Sequence, residues 1–225
     1  MEVSVRHNPS FSVARVVLAP SEQIRAESGA MMATSGGVQV ESKAQGGIMK
    51  SLKRSVLGGE SFFITTYTAP EGGGWVDCAA RLPGDITVLD AGHGLNLTKG
   101  TYLCSANSVE IDTAWGGFKN MFGGEGGFML RAAGQGPVAC ACYGALDVVD
   151  LAEGEQFVLD SGHLVAYTDG TNFTIRKVAK GMIQTLKSGE GLVFEFTGPG
   201  RVWTQTRNID ELVGWLTAVL PFSRS

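Results

Sequence analysis

Apolar and polar residues alternate with a period of two along much of the chain, the spacing that turns one face of a β-strand to a core and the other to water. Ile24 and Ala26, Leu95 and Leu97, and Phe157 and Leu159 stand among polar neighbours in three separate stretches. These stretches superimpose. They run from Val16 to Met32, from Thr87 to Leu103 and from Val149 to Val165, and in each a leucine (Leu18, Leu89, Leu151) precedes a glycine (Gly29, Gly100, Gly162) by 11 residues. A further 11 residues lead to Val40, Ile111 and Phe173. Each window reads as four short strands joined by turns, a meander with one buried face.

A Gly-Glu pair follows each meander, at Gly59-Glu60, Gly124-Glu125 and Gly189-Glu190, with a spacing of 65 residues. Beyond it come apolar runs at Phe62-Phe63, Phe128-Met129 and Leu192-Val193-Phe194. Glycine turns at Gly74, Gly136 and Gly200 follow, each with a valine two residues on (Val76, Val138, Val202). The pattern predicts an all-β protein of three tandem β-sandwich, double-stranded β-helix-like modules over 1–75, 76–137 and 138–205. Modules of this size leave strand edges uncovered, so the three are expected to share a core and shield one another.

Residues 206–225 read as a C-terminal helix. Asn208 is the expected N-cap, Asp210 and Glu211 place carboxylates in the first turn, and Ile209, Leu212, Val213 and Leu216 form an apolar stripe running towards Pro221. This stripe is expected to dock on the sheet, with Trp203 and Trp215 packed beside it.

The connectors before each Gly-Glu pair are the least strand-like segments. Ile48, Leu52 and Val56 recur at helical spacing with Lys50, Lys53 and Arg54 between them, Phe118 and Phe122 flank Lys119, and Lys180 to Lys187 repeats the mixture. They are expected to form short helical lids on a sheet. Repeated around an assembly, they would alternatively present a basic, apolar surface to an anionic membrane or another protein.

Composition narrows the functional classes. Glycine makes up 32 of 225 residues, about twice the usual ~7%, without a Gly-X-Y period, which means many tight turns and excludes collagen and coiled coil. Charged residues make up 18%, leaving less charge to cover the outside and favouring self-association. A net charge of −4 gives no global attraction to nucleic acid. No apolar run reaches membrane-spanning length, and the first residues lack the basic and apolar regions of a secretory signal. The expected location is cytoplasmic, with a position at the membrane periphery as the alternative that follows if the connectors meet a lipid surface. Cys78, Cys104, Cys140 and Cys142 contain no C-x-x-C spacing and read as buried small apolar residues in a reducing compartment.

Catalytic motifs are sparse. His7, His93 and His163 fall in no zinc-ligand spacing, and neither a G-x-S-x-G elbow nor a phosphate loop is present. No catalytic, metal or cofactor site is expected. The strongest polar candidates are Glu60, Glu125 and Glu190, each following a glycine and able to accept backbone N–H groups or pair with a base such as Arg54.

The stretch Arg54-Ser-Val-Leu-Gly-Gly-Glu-Ser-Phe-Phe-Ile-Thr-Thr-Tyr-Thr-Ala69, the run Gly198-Pro-Gly-Arg-Val-Trp-Thr-Gln-Thr-Arg207 and the closing Leu220-Pro221-Phe222 resemble the mitochondrial biogenesis (altered inheritance of mitochondria) family. The resemblance covers essentially the whole chain. It implies three modules similar to the fold of the tryptophan RNA-binding attenuation protein and a homotrimer whose nine modules form a ring. The fungal members' role in organising the mitochondrial inner membrane does not transfer simply to this chain. No catalytic residues come with the family. The second module has Glu125-Gly-Gly-Phe128 where the first has Glu60-Ser-Phe-Phe63, which weakens a ligand role common to all three corners. The expected function is a non-enzymatic, ring-forming scaffold or binding platform. The alternatives are a ring that binds a small ligand or nucleic acid, and an enzyme using an unorthodox carboxylate or cysteine site.

Overall fold

The alternating stretches fold as strands whose order repeats three times. The computed structural model describes residues 1–43, 63–98, 100–114, 129–177 and 192–221. After β1 (Glu2–Arg6) the first group comprises β2 (Val13–Leu18), β3 (Gln23–Glu27), β4 (Met31–Thr34), β5 (Gln39–Lys43), β6 (Ile64–Thr68) and β7 (Gly74–Ala79). The second comprises β8 (Ile86–Asp90), β9 (Leu95–Thr98), β10 (Tyr102–Ala106), β11 (Val109–Ala114), β12 (Met129–Gly134) and β13 (Pro137–Ala141). The third comprises β14 (Leu146–Leu151), β15 (Gln156–Asp160), β16 (Leu164–Thr168), β17 (Asn172–Lys177), β18 (Leu192–Thr197) and β19 (Gly200–Gln205), followed by α1 (Ile209–Val219).

Within each group the first, sixth and third strands lie side by side, as β2-β7-β4, β8-β13-β10 and β14-β19-β16. The fourth, fifth and second do the same, as β5-β6-β3, β11-β12-β9 and β17-β18-β15. Antiparallel pairing of β3 with β10 and of β9 with β16 fuses neighbouring groups into two six-stranded sheets. A four-stranded sheet, β1-β2-β7-β4, and a three-stranded one, β15-β18-β17, remain at the two ends of the series.

The expected module boundaries at 75/76 and 137/138 cut through β7 and the start of β13. Each of these strands pairs with the first and third strands of its own group, so the groups end after Ala79 and Ala141. The glycine turns before Val76 and Val138 join the fifth and sixth strands of one group rather than separating two groups.

The core follows the alternation. Ile24, Ala26, Leu97, Val76, Val138 and Val202 are fully buried, each large side chain contributing about 1.5–3 kcal/mol through removal from water. The packing crosses group boundaries: Leu103 and Ala139 of the second group join Ile24 and Val76 of the first, and Val165 and Trp203 of the third join Leu97 and Val138 of the second. The third group has an aromatic centre, with the rings of Phe194 and Phe196 stacked at 5.5 Å and Tyr167 5.4 Å from Phe196.

The three equivalent turn glycines are kept for two different reasons. Gly29 and Gly100 adopt φ of 88° and 83°, where a side chain is strained. Gly162 lies in a 3-10 turn instead, and a Cβ there would fall 2.2 Å from Asn208 Nδ2. The residue that caps α1 therefore occupies the space a side chain would need.

α1 begins as expected, with Asn208 Oδ1 accepting from the backbone N–H of Asp210 at 2.9 Å. Its environment differs from expectation: it has no fully buried residue, and of its stripe Leu212 and Leu216 are half-buried while Ile209 and Val213 are exposed, so the described strands leave much of the stripe uncovered. Trp203 lies in the core on β19, and Trp215 is 61% exposed on the helix. An apolar stripe shows that a helix has a face to cover, not which surface covers it.

Candidate functional site

The internal junctions follow one register. Cys104, Ser105 and Ala106 of β10 face Ala26, Arg25 and Ile24 of β3, and Ala166, Tyr167 and Thr168 of β16 face Leu97, Asn96 and Leu95 of β9. Counted from the turn glycines, residues four, five and six after the glycine of one group meet residues three, four and five before the glycine of the preceding group. Among the described residues, the third strand of the first group and the second strand of the third group have no such partner: β4 and β15 are both sheet edges.

Burial records the missing neighbour on both sides. Met31 and Met32 of β4 are exposed, whereas the equivalent Tyr102 and Leu103, and Leu164 and Val165, are buried. On β15, Phe157 and Leu159 are only half-buried, where Ile24 and Ala26, and Leu95 and Leu97, are inaccessible. Val158 between them is 52% exposed.

Soluble proteins commonly protect an open edge with charge, proline or a bulge. Here β1, β5, β11, β14 and β17 each carry two acidic or basic residues, and β8 carries Asp90 alone. β4 carries none, and the register shift between its Met31 and Ala33 recurs in the paired strands β10 and β16, so it does not block pairing; β15 has only Asp160, whose carboxylate accepts the N–H of Gly162 at 2.9 Å. By the same count from Gly29 and Gly162, the positions equivalent to the paired ones are Ala33, Thr34 and Ser35 at the β4 edge and Leu159, Val158 and Phe157 on β15.

Behind the β4 edge the sheet is tied by charge. Asp77 of β7 accepts from Arg15 Nε and Nη2 of β2 and from Arg6 Nη2 of β1, each at 2.8 Å. The Arg15 hydrogen bond, foremost, holds the Asp77 carboxyl below its ordinary value against the opposing effect of burial. The Arg15 guanidinium also lies 4.0 Å over the Trp75 ring.

A groove of about 700 Å³ runs past the three turns that join the second and third strands, with Gly29, Gly100 and Gly162 in its wall. Leu103, Met129 and Phe194 supply apolar surface, and Glu27, Arg81 and Asn208 supply polar groups. Burial raises the Glu27 carboxyl above its ordinary value, and the Arg81 charge opposes that rise.

Glu60, Glu125, Glu190, Lys50, Lys53, Arg54, Phe118 and Phe122 all lie outside the described residues, as do the connectors expected to form lids. All four cysteines are buried free thiols. Burial pushes the Cys140 thiol up to about 12 and the Cys142 thiol up to about 11, and Cys104, beside Cys78, also rises. His163 Nδ1 lies 2.7 Å from the carbonyl oxygen of Gln205, a structural contact at the third turn. Among the described residues, no group of three metal-ligating side chains is placed to hold an ion, and no helix is long and apolar enough to cross a membrane.

Met31, Met32 and Val158 were not singled out by sequence. Their signal is positional: they sit on the outermost third and second strands of a repeated series, the two places where the series runs out of neighbours.

Comparison with known proteins agrees with this architecture. The family model for mitochondrial biogenesis AIM24 matches residues 3–207. An uncharacterised protein of Streptococcus pyogenes serotype M6 is 27% identical over 232 residues, covering 99% of this chain and 92% of its own length. The crystal structure of a Streptococcus pyogenes protein superimposes with a TM-score of 0.82 at 24% identity, covering 97% of this chain and 99% of that one.

Proposed function

We propose that this chain, which belongs to the mitochondrial biogenesis AIM24 family, is a non-enzymatic scaffold that joins head to tail with identical copies to form a ring. The observation that carries the reading is the pair of unmatched edges, β4 and β15, which have the strand positions, apolar surface and missing burial of a third junction. Because the two edges differ, the contact is heterologous, and such contacts close into rings or continue as filaments. The family resemblance sets the expected copy number at three. A ring of this kind offers repeated surfaces to partners, and its low charge is the composition of a partly covered subunit.

The proposed register gives a direct test. Thr34 and Val158 of neighbouring copies stand opposite each other, so Thr34→Lys combined with Val158→Lys places like charges across the junction, which is destabilising. The double lysine variant is expected to elute as a single chain, and Thr34→Lys combined with Val158→Glu to regain the assembled mass. Equal assembly of both combinations would contradict the register.

The groove favours a second reading, a ring that holds a small ligand, since its volume is within the range of ligand pockets. Native mass spectrometry of the purified protein separates the two: a retained small molecule supports the ligand reading, and a bare protein mass favours the scaffold alone.

A further inference from the structure

α1 is an 11-residue helix with Ile209, Val213, Trp215 and Val219 exposed, as is Leu220 at its C-cap. A helix this short is marginal in water by itself and draws stability from packing its apolar face. Its acidic first turn, Asp210 and Glu211, and the lack of basic residues in its last turn make it a poor match for an anionic lipid surface.

The path of the chain indicates what covers it. Between the sixth strand of one group and the first of the next, the backbone crosses in short segments that bond to one another in series. Ser12 N–H donates to Gly84, Asp85 N–H to Gly144, and Thr206 N–H to Ala145. Gly84 and Gly144 form a bridge so close that a Cβ on Gly84 would lie 1.9 Å from the Cys142 carbonyl oxygen. At the two internal junctions, a single segment both leaves one group and enters the next. Between copies two segments reach the equivalent position: residues 206–208 leaving the third group, which lead into α1, and residues 7–12 leading into β2 of the next copy.

That second segment has a matching character. Phe11 is 70% exposed, and Arg6 and His7 precede it without an acidic residue up to Ser12. It offers an exposed aromatic side chain to the stripe of α1 and sets no like charge against Asp210 and Glu211. We infer that α1 packs on the next copy of the chain, against Phe11 and the segment that leads into β2, and fastens the strand junction. The inference rests on the proposed self-assembly.

The test is cross-linking of a chain carrying both Phe11→Cys and Val213→Cys with a short bismaleimide, read by denaturing gel together with the mass in solution. Both positions are exposed, and the native thiols are buried. Conversion of the single-chain band into multiples of the chain mass is expected, with each single variant staying at one chain. An assembled mass with only the single-chain band would overturn the helix contact while leaving the ring intact. A single-chain mass would overturn the ring, and this contact with it. Co-sedimentation with phosphatidylserine vesicles that is abolished by Trp215→Asp would give the helix face to lipid and likewise overturn the contact.

Discussion

Asp77 has 2% of its side chain exposed and faces two guanidiniums, so its charge is held by Arg6 and Arg15 rather than by water. Removing one partner of such a group leaves uncompensated charge. Asp77→Asn is therefore expected to lower stability by about 3 kcal/mol at neutral pH, measured by urea unfolding. Its folded carboxyl lies below its unfolded value of about 3.9, so the stabilisation is present above that pH and is lost as pH falls through the folded value. The gap between variant and wild type should accordingly close in acid. A gap that is unchanged down to the acid transition would count against the ion-pair account. The cysteines make the opposite kind of prediction. Cys78, Cys104 and Cys140 are fully buried, so in the folded protein at neutral pH these three should resist a thiol reagent until it is unfolded. Rapid labelling of Cys78, Cys104 or Cys140 in the folded chain would show that the core opens locally.

At the scale of strands and helix, alternation predicted the elements well because period-two burial depends on local spacing alone. Ile24, Ala26, Leu95 and Leu97 carry that signal and are all buried. Three other features were not legible locally. Met31-Met32 is as apolar as Tyr102-Leu103 and Leu164-Val165, so nothing within the strand distinguishes an open edge from a paired one. The turn before Val76 resembles a boundary, yet the partners that keep β7 in the first group are β2, more than 50 residues earlier, and β4. The stripe of α1 fixed its extent and its cap but left its covering surface open. If that surface is another copy, truncation after Asn208 should weaken assembly without lowering the stability of the strands, with dilution and thermal unfolding separating the two effects. A matching loss of strand stability would place the helix within its own chain's fold.

The whole molecule is a series of three strand groups in which each boundary except the outermost is sealed by strand pairing. Repeat proteins meet this condition with polar caps at their ends. Here β4 and β15 are left apolar and almost without charge, the form expected when another copy completes each end. The polar candidates Glu60, Glu125 and Glu190 lie outside the described residues. The repetition that made them conspicuous is the same repetition that, carried through the register of the sheets, identifies the two open ends. Self-assembly through those ends is read most directly from the light-scattering mass of the untagged chain over a range of concentrations. A discrete mass about three times that of the 23.7 kDa chain, lost in the double lysine variant, is the predicted result. The mass of one chain at every concentration would contradict it.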